Sequence, residues 1–377
     1  MKPPDVQLPD VLRQSRSRVV FGPGSLARLG ELVRREGGSR VLLVTDPGLV
    51  AAGHVERGVA SLDGAGLSVT VFDGVRENPT TEHVDAGVGV ARSAAADFIV
   101  GLGGGSALDA AKGVNFILSN GGRMQDYWGV NKATRPMLPM IAVPTTAGTG
   151  SEAQSFALIT DPQTKQKMAC GDTKAACRWA VLDPDLTLTQ PRHVAAAAGM
   201  DAVSHAVETV ATTKRNAVSR AFSVEAWRLL EPAYETAVRD PTDDLARQRM
   251  LLGAHLAGAA IEHSMLGAAH ACANPLTMRF GVRHGVAVGL MLPHVVRFNA
   301  RVDNAYADLC EDAQRLADRI ESMLEVAGLP RRLADLGVPE SALPELATLA
   351  TRQWTAAFNP RPVGEADLLE LYRRACT

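Results

Sequence analysis

Short apolar runs ended by turn residues alternate with helix-like stretches through the first half of the chain. Val41–Thr45 (VLLVT) is apolar and β-branched and stops at Asp46-Pro47-Gly48. Leu67–Phe72, Phe98–Leu102 and Met140–Val143 have the same character; the last two run into glycines and into Pro144-Thr145-Thr146. Continuous apolar runs of this length predict strands buried on both faces, as in a parallel sheet. Between them, Ser25–Glu36 and Thr81–Ala95 place apolar residues at helical spacing. Strand–helix–strand repetition predicts an α/β domain with right-handed crossovers.

Past Pro191 the pattern changes. Strand-like runs nearly vanish, and Val194–Thr212, Ser219–Arg239, Asp243–Glu262 and Asn304–Ala327 show helical periodicity or strong helix formers. Asp240-Pro241-Thr242-Asp243 marks a break followed by an N-cap signal. The expected division is therefore 1–190, α/β, and 191–377, all helical. No flexible linker separates them, so two closely packed domains with a cleft between them are expected.

Composition narrows the function classes. The 377 residues are 46% hydrophobic and 21% charged, which excludes wholesale disorder. The net charge of −2 shows no basic excess, so nucleic acid is not an expected partner. No run of eighteen apolar residues occurs, so no membrane span is expected. The opening Met-Lys-Pro-Pro-Asp-Val-Gln lacks the apolar core of a secretory signal. Five scattered cysteines without a Cys-x-x-Cys pair read as reduced thiols of a cytoplasmic protein, not as a thiolate metal site.

Candidate chemistry sits at the ends of the predicted strands. In GLGGGSALDAAK (Gly101–Lys112) a strand enters three consecutive glycines, Gly103, Gly104 and Gly105, and then a helix. Glycine lets the backbone approach a phosphate, and a helix N-terminus offers free N–H donors. Ser106 is expected to cap that helix, with Asp109 in its first turn. PTTAGTGSE (Pro144–Glu152) supplies hydroxyls at Thr145, Thr146, Thr149 and Ser151, suited to a pyrophosphate or ribose. Two such loops after neighbouring strands reinforce each other, because ligands of open α/β sheets bind at strand carboxyl ends. Asp46 either accepts from ribose hydroxyls and disfavours a 2′-phosphate, or simply forms the turn before Pro47-Gly48.

The helical half carries metal-ligating residue types. GMDAVSHAVE sets Asp201 and His205 four residues apart, on one face of a helix. His270 and His284 follow in GAAHACANPL and GVRHGVAVGLMLPH, His284 beside Gly285 where backbone approach is easy. One Asp with three His makes a mixed oxygen and nitrogen shell suited to Fe2+ or Zn2+. His255 and His263 are read as structural, and His294 as a weaker alternative ligand.

With GGGSALDAAK, PTTAGTGSE, LDPDLT, GMDAVSHAVE, the fourteen-residue spacing of His270 and His284, and FNPRP near the end, the chain resembles the iron-containing (group III) alcohol dehydrogenases. That family shares a fold with glycerol dehydrogenase and dehydroquinate synthase. The resemblance implies a Rossmann-like nucleotide-binding domain, a helical metal-binding and substrate domain, and a dimer. It implies that Asp201, His205, His270 and His284 bind one divalent metal. It also implies that Asp46, Asn78, Gly104, Gly105, Ser106, Asp109, Thr145, Thr146 and Thr149 contact NAD, with NADP the alternative, and that Lys167 reaches the cofactor site. The implied reaction is hydride transfer between the cofactor and a small alcohol or aldehyde, with the metal polarising the substrate oxygen.

Two departures matter. Where most members of the family carry a second histidine four residues after the first, this chain has Asn274, and Thr277 replaces a family glycine. Arg283 replaces the proline before the last metal histidine. Asn cannot relay a proton, so the proton is expected to leave through water at the metal or the ribose hydroxyls of the cofactor. Arg279 and Arg283 flank His284 and are expected to form a solvated loop face, with an anionic-substrate clamp as the alternative. A lyase of the dehydroquinate synthase type would need many basic residues, yet no Lys follows Lys214. A non-catalytic nucleotide-binding relative is the remaining alternative, raised by Asn274.

Overall fold

The computed structural model describes residues 6–376; most of the opening segment that bears on a secretory signal lies outside them. Contacts divide the chain into two compact units. One runs to Thr146 and resumes at Gly150–Gln190; the other comprises Ala147–Thr149 and the chain from Pro191.

The first unit is built on nine strands: β1 (Arg18–Phe21), β2 (Arg40–Val44), β3 (Ser68–Phe72), β4 (Phe98–Gly103), β5 (Gly129–Val130), β6 (Met140–Pro144), β7 (Phe156–Thr160), β8 (Lys167–Gly171) and β9 (Trp179–Leu182). Its helices are α1 (Leu29–Arg35), α2 (Pro47–Ala51), α3 (His54–Gly64), α4 (Thr81–Ser93) and α5 (Gly105–Asn120). Six strands form a wholly parallel sheet in the order β1-β9-β6-β4-β2-β3. Leaving out the edge strand β1, this is the flavodoxin-type 2-1-3-4-5 order of doubly wound sheets. The order reverses between β2 and β4, the switch point at whose carboxyl ends ligands of such sheets bind.

Both faces of this sheet are buried, which accounts for the unbroken apolar runs. On β2, Leu42 and Val44 join Ile99, Met140 and Ala142 under α4 and α5. Val41 and Leu43 join Val100, Ile141 and Val181 against α1 and α3 on the other face. A fully buried aliphatic side chain is worth about 1.5–3 kcal/mol, so alternate residues of one strand stabilise two layers. A second, smaller sheet (β5-β8-β7) carries the β7–β8 antiparallel pair, which ends at Thr160↔Lys167.

The second unit holds α6 (Arg192–Ala211), α7 (Ala217–Arg239), α8 (Asp244–His263), α9 (Ala268–Phe280), α10 (His284–Asn299), α11 (Ala313–Ala327), α12 (Leu343–Thr351) and α13 (Glu365–Arg374). The central α6 is almost wholly buried from Ala196 to Ala211 and packs on α7, α8 and α10. A Cβ at Gly285 would lie 2.0 Å from the Ala197 carbonyl oxygen, so only glycine lets the start of α10 approach the α6 backbone this closely.

Two expectations need correction. The stretch Asn304–Ala327 is helical only from Ala313: Asn304 takes a left-handed φ of 57°, and the Asp312 side chain captures the Gln314 N–H as the helix cap. Ser106 does not cap α5, which starts at Gly105 with Gly104 in the cap position and no side-chain cap bond. His284 opens α10 as its first residue and shares that helix with His294. Among the described residues, no helix is long and apolar enough to cross a membrane.

Candidate functional site

Two clusters of the expected residues form, one in each unit. In the α/β unit, the carboxyl ends of β2, β4 and β6 present Asp46, Gly103–Ser106 and Thr145-Thr146 side by side. Gly103 has φ 156°, and a Cβ there would lie 2.6 Å from Ala107 Cβ and 3.6 Å from Asp46 Oδ2. The Gly103 carbonyl accepts from Thr145 N–H at 3.0 Å, and a Cβ at Gly104 would press on Thr146 Cγ2 at 3.3 Å. A bare, tight turn thus leads into a sixteen-residue helix without a side-chain cap, leaving first-turn N–H groups to a ligand.

Asp46 forms the turn that its sequence allowed. Its Oδ1 accepts from Gly48 N–H at 2.8 Å and Leu49 N–H at 3.2 Å, capping α2, while Oδ2 faces the glycine turn. Asn78, with φ 54°, meets Lys167 at the start of β8: Nζ donates to Asn78 Oδ1 at 3.5 Å.

Asp109 faces the other way. It is buried and accepts from Ser151 Oγ at 2.6 Å, and burial pushes its carboxyl up against the opposing pull of Lys112. Lys112, fully buried, donates to the Ser151 carbonyl at 2.6 Å, Ser151 Oγ at 2.9 Å and the Phe156 carbonyl at 2.8 Å. Together they bolt the 144–152 loop to α5. Sequence reasoning gave Lys112 no role, although its spacing from Asp109 puts both on one helix face.

In the helical unit, three imidazoles surround one carboxylate oxygen. Asp201 Oδ1 lies 3.4 Å from His205 Nε2, 3.6 Å from His270 Nε2 and 3.7 Å from His284 Nε2. The side chains of Asp201, His205 and His270 are 4–6% exposed, whereas His284 is 30% exposed and forms the accessible side. Asp201 and His205 come from α6, His270 from α9 and His284 from the first residue of α10. Ligand atoms of Asp201, His270 and His284 all lie within 4.8 Å of one another.

These contacts are too long or too poorly aligned for hydrogen bonds, and Asp201 Oδ1 and His270 Nε2 are buried without any partner. Orphaned polar atoms in a protein interior are costly. A cation resolves them: ligand bonds of 2.0–2.1 Å in a tetrahedral shell place donors about 3.4 Å apart. The donor set therefore fits a divalent metal of the Fe2+ or Zn2+ kind.

Burial opposes the Asp201 charge, yet the neighbouring His205, His270 and His284 hold its carboxyl well below the usual range. Burial pushes His205 down to about 4 against the pull of Asp201. His270 is pushed up to about 9: burial works against its charge, but Glu208 and Asp201 outweigh it.

Glu208 is the residue sequence reasoning passed over. Its Oε2 lies 2.5 Å from His270 Nδ1 and its Oε1 accepts from Ala269 N–H at 2.7 Å. The signal was available, because Asp201, His205 and Glu208 follow the i, i+4, i+7 spacing of a single helix face. Asn274, one turn after His270, donates from Nδ2 to Gln353 Oε1 at 3.0 Å. His255 is fully buried on α8, His263 stacks on Phe222 and His294 stands elsewhere on α10; none joins the group at Asp201. Arg279 is ion-paired with Glu345 at the surface.

Comparison with known proteins identifies the family. Residues 16–184 match the model of the iron-containing alcohol dehydrogenase family, and residues 195–376 match the C-terminal model of the Fe-containing alcohol dehydrogenase family. The chain is 36% identical to 1,3-propanediol dehydrogenase of Citrobacter freundii, over 94% of this chain and 96% of that protein. It is also 36% identical to alcohol dehydrogenase 4 of Schizosaccharomyces pombe, over 94% of this chain and 87% of that protein. Among solved structures, a 1,3-propanediol oxidoreductase superposes with a TM-score of 0.90 at 34% identity, covering 95% of this chain and 97% of the other.

Proposed function

This chain belongs to the iron-containing alcohol dehydrogenase family, and from that premise we propose that it interconverts a small alcohol and its aldehyde by hydride exchange with NAD, at a divalent metal held by Asp201, His205, His270 and His284. The observation that carries this reading is the convergence of three imidazole Nε2 atoms on the unpartnered Asp201 Oδ1. When bound, the metal supplies Lewis acidity to the substrate oxygen and NAD supplies the hydride acceptor.

The rest falls to the chain's own side chains. The bare turn at Gly103–Gly105 and the N-terminus of α5 bind the pyrophosphate, with Ser106, Thr145, Thr146 and Thr149 as further donors. Asp109 acts through the loop it anchors, beside Lys112 and Ser151. Asn78 and Lys167 act as a pair. Asp46 places a carboxylate oxygen at the ribose end and thereby favours NAD over NADP. The three buried ligands exclude water from one side of the centre, and His284 leaves the other side accessible to substrate.

Asn274 and Gln353 form a neutral amide pair that takes up no proton near pH 7. These two side chains would therefore hold no proton for the reaction. Asn274→His is expected to add an ionisation to the pH–rate profile; an unchanged profile removes this position from the proton path. The surface pairing of Arg279 with Glu345 favours a solvated face over an anion clamp. A cytoplasmic homodimer is the setting we infer.

The test combines metal analysis with NADH absorbance on a panel of small aldehydes. Bound metal and aldehyde-dependent NADH oxidation are expected, both lost in Asp201→Ala. Cofactor binding without metal would overturn this reading in favour of a non-catalytic relative.

A further inference from the structure

We propose that Glu208 is a positioning residue of the metal centre, fixing the tautomer and aim of His270 by accepting from its Nδ1–H and from the Ala269 N–H at once. The inference rests on reading Asp201, His205, His270 and His284 as one ligand set.

The argument starts at the end of a helix. The first N–H groups of α9 have no intrahelical partner, and its cap residue Gly267 offers no side chain. Two acceptors from distant segments take their place. Ala268 N–H donates to Asn359 Oδ1 at 3.2 Å, and Ala269 N–H donates to Glu208 Oε1 at 2.7 Å. A Cβ at Gly267 would stand 3.0 Å from both acceptor oxygens, so the glycine makes room for them. Asn359 belongs to the FNPRP segment, which thereby gains a physical purpose. It also donates to Asn299 Oδ1 at 2.7 Å and to the Arg361 carbonyl at 2.6 Å, which fixes its own orientation.

The second oxygen of Glu208 then reaches His270 Nδ1 at 2.5 Å. An ionised carboxylate only accepts, so this nitrogen must carry the proton. In the neutral ring the lone pair is then on Nε2, the atom 3.6 Å from Asp201 Oδ1 and without a hydrogen-bond partner. A metal-ligating imidazole needs this division of roles between its two nitrogens.

A buried carboxylate is a poor choice for stability alone. Glu208 is 4% exposed, and its two oxygens are taken by the Ala269 N–H and His270 Nδ1. Glutamine would fill the same volume without a charge. It would offer one acceptor and one donor, however, where both partners are donors. Its amide would oppose either the Ala269 N–H or the His270 Nδ1–H, and relief at His270 would move the proton to Nε2 and remove the ligand lone pair.

The test titrates metal-free protein with Zn2+ against a chelator, comparing wild type with Glu208→Gln, Asn359→Ala and His270→Ala. Glu208→Gln is expected to lose about 10- to 100-fold in Zn2+ affinity. Asn359→Ala, which removes the other acceptor at the helix end and leaves Glu208 and His270 in place, is expected to lower melting temperature with a smaller change in affinity. Zn2+-loaded wild type, with 15N-labelled histidine, should show a downfield His270 Nδ1–H proton. Absence of that proton overturns the inference even if Glu208→Gln does not fold. So does wild-type affinity in Glu208→Gln, or an equal loss in Asn359→Ala. Unchanged affinity in His270→Ala overturns the ligand reading, and this inference with it; loss there but not in Glu208→Gln overturns this inference alone.

Discussion

At the scale of single residues, placement depends on small side chains as much as on ligands. Gly285→Ala would drive a Cβ to within 2.0 Å of the Ala197 carbonyl oxygen, a backbone atom that cannot swing away. His284 would shift with it. We expect at least a tenfold loss of metal affinity and of kcat/KM, as 1 Å misplacements can cost 100-fold; metal analysis and steady-state kinetics check this. His294 gives a pH dependence independent of the metal centre. Burial, with Arg297 and Arg374 nearby, pushes it down to about 4, against Glu321. The folded state then binds fewer protons than the unfolded state below about pH 6.5. Its contribution is full above that pH and is lost as pH falls towards 4, by up to about 3 kcal/mol. Urea unfolding at pH 5 and pH 7.5 should show a smaller difference for His294→Gln than for wild type. The cluster at Asp201 was legible because Asp201, His205, His270 and His284 are chemically distinctive residue types. Glu208 was not, because an acidic residue on a helix reads as solvated surface until its burial is known.

Among the elements, legibility followed length and burial. The strands β2, β3, β4 and β6 were read from their apolar runs. β1 and β9 were not: β1 begins with the exposed Arg18, and β9 follows directly on the exposed Arg178. The β7–β8 pair escaped for another reason: its exposed, polar turn at Asp161–Gln166 masks the alternation. The over-long reading of α11 shows local chemistry overriding propensity, since the Asp312 side chain offers the Gln314 N–H a partner that continuing the helix would forgo. Asp312→Ala should therefore cost about 1 kcal/mol, measurable by chemical denaturation. In the sheet, Leu43 is fully buried, and Leu43→Ala should cost about 2–5 kcal/mol.

For the molecule as a whole, each unit has its own ligand chemistry. The proposed metal residues belong to the helical unit, and the proposed cofactor residues Asp46, the glycine turn and the Asn78–Lys167 pair belong to the α/β unit. Each ligand should thus protect its own part of the chain, since binding to the native state alone stabilises by about 2.7 kcal/mol at a hundredfold excess over Kd. Hydrogen exchange is the measurement. A chelator should speed exchange in α6, α9 and the start of α10, and NAD should slow it at the carboxyl ends of β2, β4 and β6. Uniform changes along the whole chain would contradict this division.

The ribose role proposed for Asp46, set beside its capping of α2, bears on engineering. A designer wishing to relax cofactor choice would remove its negative charge, and alanine is the usual first substitution. Here alanine would also strip the cap of α2, which accepts from Gly48 and Leu49, so the variant would lose about 1 kcal/mol of stability along with its selectivity. Asparagine keeps a capping oxygen and discards only the charge. Asp46→Asn is thus the route by which tolerance of NADP can be gained without fragility.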